Sequence, residues 1–248
     1  MRFSRRCRTA ALAVLLGLAV HAPAAAIVGG AEATTAEYPW LAAIGTPLFL
    51  TRASGQFCGG ALIAPDQVIT TAHCVALAQP LAQTLTATFG RDDLRGREGN
   101  TVHVKNIRIH PDFRATVLDT TTAYQNDMAI LTLDEPQPGP TITVAAAALG
   151  TGTILGWGAT SETDEANTRL RAANVPLAID GECAAAYGSA FDPHTMLCAG
   201  TPAADTAQYD SGGPLLVDGR LTGLTSWGVG AARPGFPTVY TRVSATNF

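Results

Sequence analysis

Apolar and β-branched residues come in short runs along this chain, and turn formers interrupt them every few residues. In the first half the runs are Trp40–Ile44, Gly60–Ile63, Gln67–Thr71, Leu85–Phe89, Thr101–His110 and Met128–Leu133. In the second they are Thr153–Gly156, Ala172–Leu177, Met196–Ala199, Pro214–Val217, Arg220–Trp227 and Thr238–Val243. Thr101-Val102-His103-Val104-Lys105 alternates as a half-buried strand does, one face apolar and one polar. Only Glu182 to Tyr187 reads as a short helix. Between the halves, Asp134-Glu135-Pro136-Gln137-Pro138-Gly139-Pro140 lacks several ladder donors and reads as a linker. The pattern predicts an all-β protein, divided as 27–137 and 138–248.

Residues 1–26 have a different texture. Arg2, Arg5, Arg6 and Arg8 precede an apolar run from Ala10 to Val20, and Ala24-Ala25-Ala26 supplies a small-x-small cleavage pattern. The run falls short of the roughly 20 residues a spanning helix needs, so it reads as a secretory signal rather than an anchor. The expectation is a secreted, extracellular protein with no membrane attachment once the signal is gone.

Composition narrows the function. The 248 residues carry a net charge of −4, and Lys and Arg are scattered, which gives nucleic acid or an anionic membrane nothing to bind. Five cysteines become four once Cys7 leaves with the leader. Cys58, Cys74, Cys183 and Cys198 then allow three pairings. No repeat or coiled coil points to an obligate partner, so a monomer is expected.

Chemistry concentrates in Asp205-Thr206-Ala207-Gln208-Tyr209-Asp210-Ser211-Gly212-Gly213-Pro214. Glycines after a serine permit a tight turn that leaves the hydroxyl clear and lets a substrate carbonyl approach the backbone. Alone, the run is an ordinary surface turn. It is accompanied, in order, by Ile27-Val28-Gly29-Gly30, Thr70-Thr71-Ala72-His73-Cys74 and Asn126-Asp127-Met128-Ala129-Ile130-Leu131. Cys58-Gly59-Gly60-Ala61-Leu62-Ile63, Gly156-Trp157-Gly158, Ser226-Trp227-Gly228 and Val239-Tyr240-Thr241-Arg242-Val243 complete the set. From Ile27 onward the chain resembles the chymotrypsin-like (trypsin family) secreted serine proteases, in which the catalytic residues occur in the order His, Asp, Ser.

The resemblance implies two antiparallel six-stranded β-barrels with the active site between them. It implies Ser211 as nucleophile, His73 as general base and then acid, and Asp127 as the group holding the imidazole tautomer. It selects the disulfides Cys58–Cys74 and Cys183–Cys198. The backbone N–H groups of Tyr209 and Ser211 would form the oxyanion hole. Asp205 would lie at the base of a primary pocket for Arg or Lys, bordered by Gln208, Ser226, Trp227, Gly228 and Thr238. Cleavage after Ala26 would free the Ile27 amine to pair with Asp210, so that signal removal itself activates the protein. Partners would be protein or peptide substrates and proteinaceous protease inhibitors. No cofactor is expected, and no metal, because Arg91 stands where a calcium ligand would be and Asp92, Asp93 and Glu98 read as solvated charges.

Several residues depart from the family pattern. Ala207 and Ala231 replace a cystine around the pocket. Thr238 stands where trypsin-like members have glycine, which keeps a preference for small aliphatic residues open. Tyr209 replaces the glycine of the oxyanion loop, and it would either bear a strain of roughly 1–2 kcal/mol or flip its peptide. A weakly active or non-catalytic homologue that binds peptides is the competing reading. The chain also stops at Thr246-Asn247-Phe248, where the family's C-terminal helix would begin, and lower stability is expected from the missing packing.

Overall fold

The computed structural model describes residues 27–146, 149–163 and 166–243. The leader and the last five residues lie outside this range, and so do the expectations placed on them.

The first barrel is built from Leu41–Gly45 (β1), Gln56–Ala64 (β2), Gln67–Thr70 (β3), Thr86–Phe89 (β4), Asn100–Ile109 (β5) and Ala129–Leu133 (β6). These close in the order β1-β2-β3-β6-β5-β4, with every pairing antiparallel. The second barrel uses Thr151–Gly156 (β7), Arg171–Ala178 (β8), Met196–Ala199 (β9), Pro214–Val217 (β10), Arg220–Trp227 (β11) and Thr238–Arg242 (β12). Its strands run β8-β7-β10-β11-β12-β9, and a β8–β9 pairing closes the ring. Counted from the first strand of each barrel, both rings have the same order. Closure leaves neither barrel with a free edge, which suits a chain of many short strands.

The strand patterns explain the packing. β5 alternates buried Val102 and Val104 with exposed His103 and Lys105, then slips register between Val104 and Asn106, so that Ile107 again faces inward. β1 is buried throughout, because it is covered on both faces. One apolar core joins Leu41, Ile44, Val68 and Leu131 to Leu155, Leu216 and Leu224 of the second barrel, so the barrels are not separable bodies. Residues 27–32, counted with the first half by the sequence, lie on the second. Ala31–Glu32 pairs with β8, Val28 bridges Asp205, and Ile27 is buried among Ile154, Val175, Leu215 and Tyr240.

The expected helix is present as Asp180–Tyr187. A hairpin, Arg114–Val117 with Thr122–Gln125, was not foreseen, because its first strand is exposed throughout and carries no apolar alternation. Asp92 and Asp93 are not merely solvated. Asp92 accepts from the Thr35 amide (2.7 Å) and hydroxyl (2.6 Å), and Asp93 accepts from Arg95 and from the Thr168 hydroxyl (2.8 Å). These contacts fasten the chain after β4 to its neighbours.

The barrels meet most closely at glycine. Gly212 has φ +75°, and a Cβ there would strike the Thr70 hydroxyl and the Gly59 carbonyl. Replacing Gly212 by Ala should therefore cost about 3 kcal/mol, from overpacking plus left-handed strain. Urea unfolding checks it, and a change below about 0.5 kcal/mol would mean that the contact relaxes freely.

Candidate active site

β3 ends at Thr70, and the single helical turn Ala72–Val75 then turns His73 toward the groove between the barrels. Cys58–Cys74 ties this turn to β2, and Cys183–Cys198 ties the helix Asp180–Tyr187 to β9, the pairing that the resemblance selected. Asp127 precedes β6 and is fully buried. Its carboxylate accepts three hydrogen bonds, from His73 Nδ1 (2.7 Å), the His73 backbone N–H (2.8 Å) and the Ser226 hydroxyl (2.6 Å). An acceptor on Nδ1 sets the proton there and leaves Nε2, which lies 3.7 Å from Cys74 Sγ, as the basic nitrogen. Tyr124 lies flat on the imidazole, with ring centroids 4.5 Å apart.

Ser211 comes from the opposite wall. Its carbonyl accepts from Gly59 N–H at 2.7 Å, Gly212 N–H bonds the Thr225 carbonyl, and Gly213 N–H bonds the Asp210 carbonyl. The serine is thus held by backbone on both sides, while its hydroxyl makes no hydrogen bond among the described residues. His73 and Ser211 line one cleft of about 540 Å³ together with Gln208, Ser226, Trp227, Gly228 and Thr238.

Tyr209 adopts φ +74°, the left-handed conformation that glycine accepts more easily. Its preceding peptide is not flipped. The Gln208 carbonyl accepts from Ala159 N–H at 2.8 Å, and in a planar trans peptide the Tyr209 N–H then points the other way.

Asp205 is only 1% exposed, and it borders a neighbouring cavity of about 360 Å³ with Gly200, Arg233 and Phe236. Thr206 and Thr238 line the cleft with their hydroxyls 3.1 Å apart, and the Asp205 carboxylate accepts from the Thr206 N–H at 2.8 Å. Burial pushes the Asp205 carboxyl up to about 7, although hydrogen bonds from the Thr238 hydroxyl and the Thr206 and Ala232 N–H groups oppose the shift. Burial also raises Asp210 to about 7, opposed by N–H donors from Ala207 and Gly158 and by the charge of Arg52. At the groove's rim, Ala207 and Ala231 lack a sulfur link. There the Glu162 carboxylate accepts the Ala231 N–H at 3.3 Å.

Tyr124, Thr206, Glu162, Arg52 and Gln56 all touch the site or its supports, and none was singled out from the sequence. Each acts through space, and no motif flags it.

Two like-wound β-barrels sharing a polar groove have the architecture of the chymotrypsin-like hydrolases. The trypsin family model matches residues 27–248. A trypsin of Saccharopolyspora erythraea is 40% identical over 227 residues, covering 88% of this chain and 94% of that protein. Trypsin-1 of Astacus astacus is 35% identical over 236 residues (88% and 95%), and a trypsin-like protease of Streptomyces glaucescens 34% over 237 (91% and 81%). The chain belongs to the trypsin family and is a serine endopeptidase that acts on protein or peptide substrates.

The raised Asp205 carboxyl fixes a pH dependence. Folding favours its protonated form, so the folded state holds more protons than the unfolded one between about pH 4 and 7. Stability conferred below this window is lost as pH rises through it. Denaturation at pH 4, 5.5 and 7 should show that decline, and it should be shallower in Asp205→Asn; an identical slope in the variant would refute the assignment.

Proposed function

We propose that the protein is secreted and hydrolyses peptide bonds through an acyl-enzyme on Ser211. His73 Nε2 takes the serine proton as the hydroxyl oxygen attacks the scissile carbonyl, then delivers it to the leaving amine. Asp127 holds the ring in place and stabilises the imidazolium. The developing oxyanion is met by the backbone N–H groups of Tyr209 and Ser211, and losing one such donor would cost on the order of 10²–10³ in turnover. The observation that carries this reading is that His73, hydrogen-bonded through Nδ1 to buried Asp127, lines one cleft with Ser211. Ser211→Ala should lower turnover of a peptide amide by about 10⁶-fold without loss of folding, as measured by initial rates and thermal melting. Undiminished turnover would reject the role.

Activation follows from burial. A fully buried Asp210 needs a cation to stay charged at low cost, and Ile27 is already enclosed in the second barrel. We assign that cation to the free Ile27 amine, exposed when the leader is cut after Ala26. N-terminal sequencing of active protein from culture medium should begin at Ile27, and active material with a different first residue would sink the assignment.

For the primary side chain we favour Lys or Arg, drawn by Asp205. The two threonine hydroxyls beside the carboxylate suit a compact ammonium with three donors better than a planar guanidinium that needs a bidentate partner. A second reading, short aliphatic side chains, is favoured by the bulk of Thr238 in the pocket lining. A panel of Lys, Arg, Ala and Val amides separates them. On the first reading Lys exceeds Ala, and Thr238→Gly raises Arg turnover roughly tenfold. On the second, Ala or Val leads.

A further inference from the structure

A tyrosine in a left-handed turn, where its N–H is needed in one direction, requires something to hold it. Two side chains of the first half reach it. Gln56, only 1% exposed, donates from Nε2 to the Tyr209 carbonyl at 2.9 Å. The Gln56 Oε1 accepts both Arg52 Nε (3.1 Å) and Nη2 (2.9 Å), which fixes the amide's orientation. The same guanidinium donates to the carbonyls of Trp157 (2.7 Å) and Asn167 (3.0 Å), and it lies over the Tyr209 ring at 4.2 Å. Phe49 borders that ring at 6.3 Å. Tyr209 is therefore gripped at its ring face by Arg52 and at its carbonyl by Gln56, the first residue of β2 on the opposite barrel.

We infer that Arg52 and Gln56 are positioning residues for the oxyanion donor: they keep Tyr209 at positive φ, so that its N–H stays aimed into the cleft. The inference rests on the oxyanion role given to Tyr209 above. Without the grip, a tyrosine relaxes toward negative φ, and the peptides on either side of it must turn. Glycine has no such preference, so a chain with glycine here would need no grip. A purely structural link between the barrels would matter equally whatever residue stood at 209. That difference makes the inference testable.

The experiment is a double-mutant cycle on the full chain: wild type, Arg52→Ala, Tyr209→Gly and both together. A fluorophosphonate titrates Ser211, so that kcat is expressed per reactive serine. Binding of a peptide aldehyde, whose adduct oxygen sits where the oxyanion forms, is measured beside KM for the matching amide. Arg52→Ala should lower kcat about tenfold or more, with KM within about threefold, and weaken the aldehyde by a similar factor. In the Tyr209→Gly background the same change should alter kcat and aldehyde affinity by less than about threefold. An equal loss in both backgrounds, or no loss in either, overturns the inference while leaving the peptidase reading standing. If Arg52→Ala does not fold, Gln56→Met removes the bond to the Tyr209 carbonyl together with those to Arg52 and the Cys58 carbonyl, and it supports the same comparison in the Tyr and Gly backgrounds. A wild-type chain that neither turns over the amide nor labels at Ser211 would bring down both readings.

Discussion

One buried carboxylate holds the two halves of this site in register. Asp127 has no access to water, and every hydrogen bond it accepts comes from a group that must be in the right place: two from His73 on the first barrel, one from Ser226 on the second. A buried anion is tolerable only while its donors stay close, so the fold is penalised whenever the barrels drift apart. The cost of burying one charge thus becomes rigidity at the place where the proposed proton transfer needs it.

Backbone contacts of the same kind surround it. Gly59 N–H meets the Ser211 carbonyl, and Gly212 comes so close to Gly59 and Thr70 that no side chain fits between them. Arg52 and Gln56 add a polar strap from the first half to Tyr209, Trp157 and Asn167. The apolar core running through both barrels supplies most of the cohesion, while these polar contacts set alignment.

Much of this was legible in the residues. Twelve apolar runs foretold twelve barrel strands, because half-buried strands leave a period-two trace, as Val102 and Val104 do. The motifs around His73, Asp127 and Ser211 were legible because tight turns demand particular residue types at fixed spacing. What the sequence hid is contact across the groove. Nothing near Tyr124 says that it will stack on His73, and nothing near Arg52 says that its partner is a ring 157 positions on. The placement of Asp205 was half legible: its position beside the pocket is a matter of local spacing. Its burial, with hydrogen bonds from Thr206 and Thr238, depends on two chain segments meeting, which spacing cannot convey. Tyr209 posed a choice between strain and a flipped peptide, and the Ala159–Gln208 bond resolves it in favour of strain.

The rim at Ala207 and Ala231 has one more consequence. With no sulfur link there, that margin of the pocket is held by separate hydrogen bonds: the exposed Glu162 carboxylate accepts the Ala231 N–H at 3.3 Å, and buried Asp210 accepts the Ala207 N–H at 3.0 Å, each worth about 1–3 kcal/mol. The two covalent staples are spent elsewhere, beside His73 and beneath the short helix. Resistance to widening therefore differs around the pocket's circumference: hydrogen bonds alone at Ala207 and Ala231, paired barrel strands at Ser226 and Thr238.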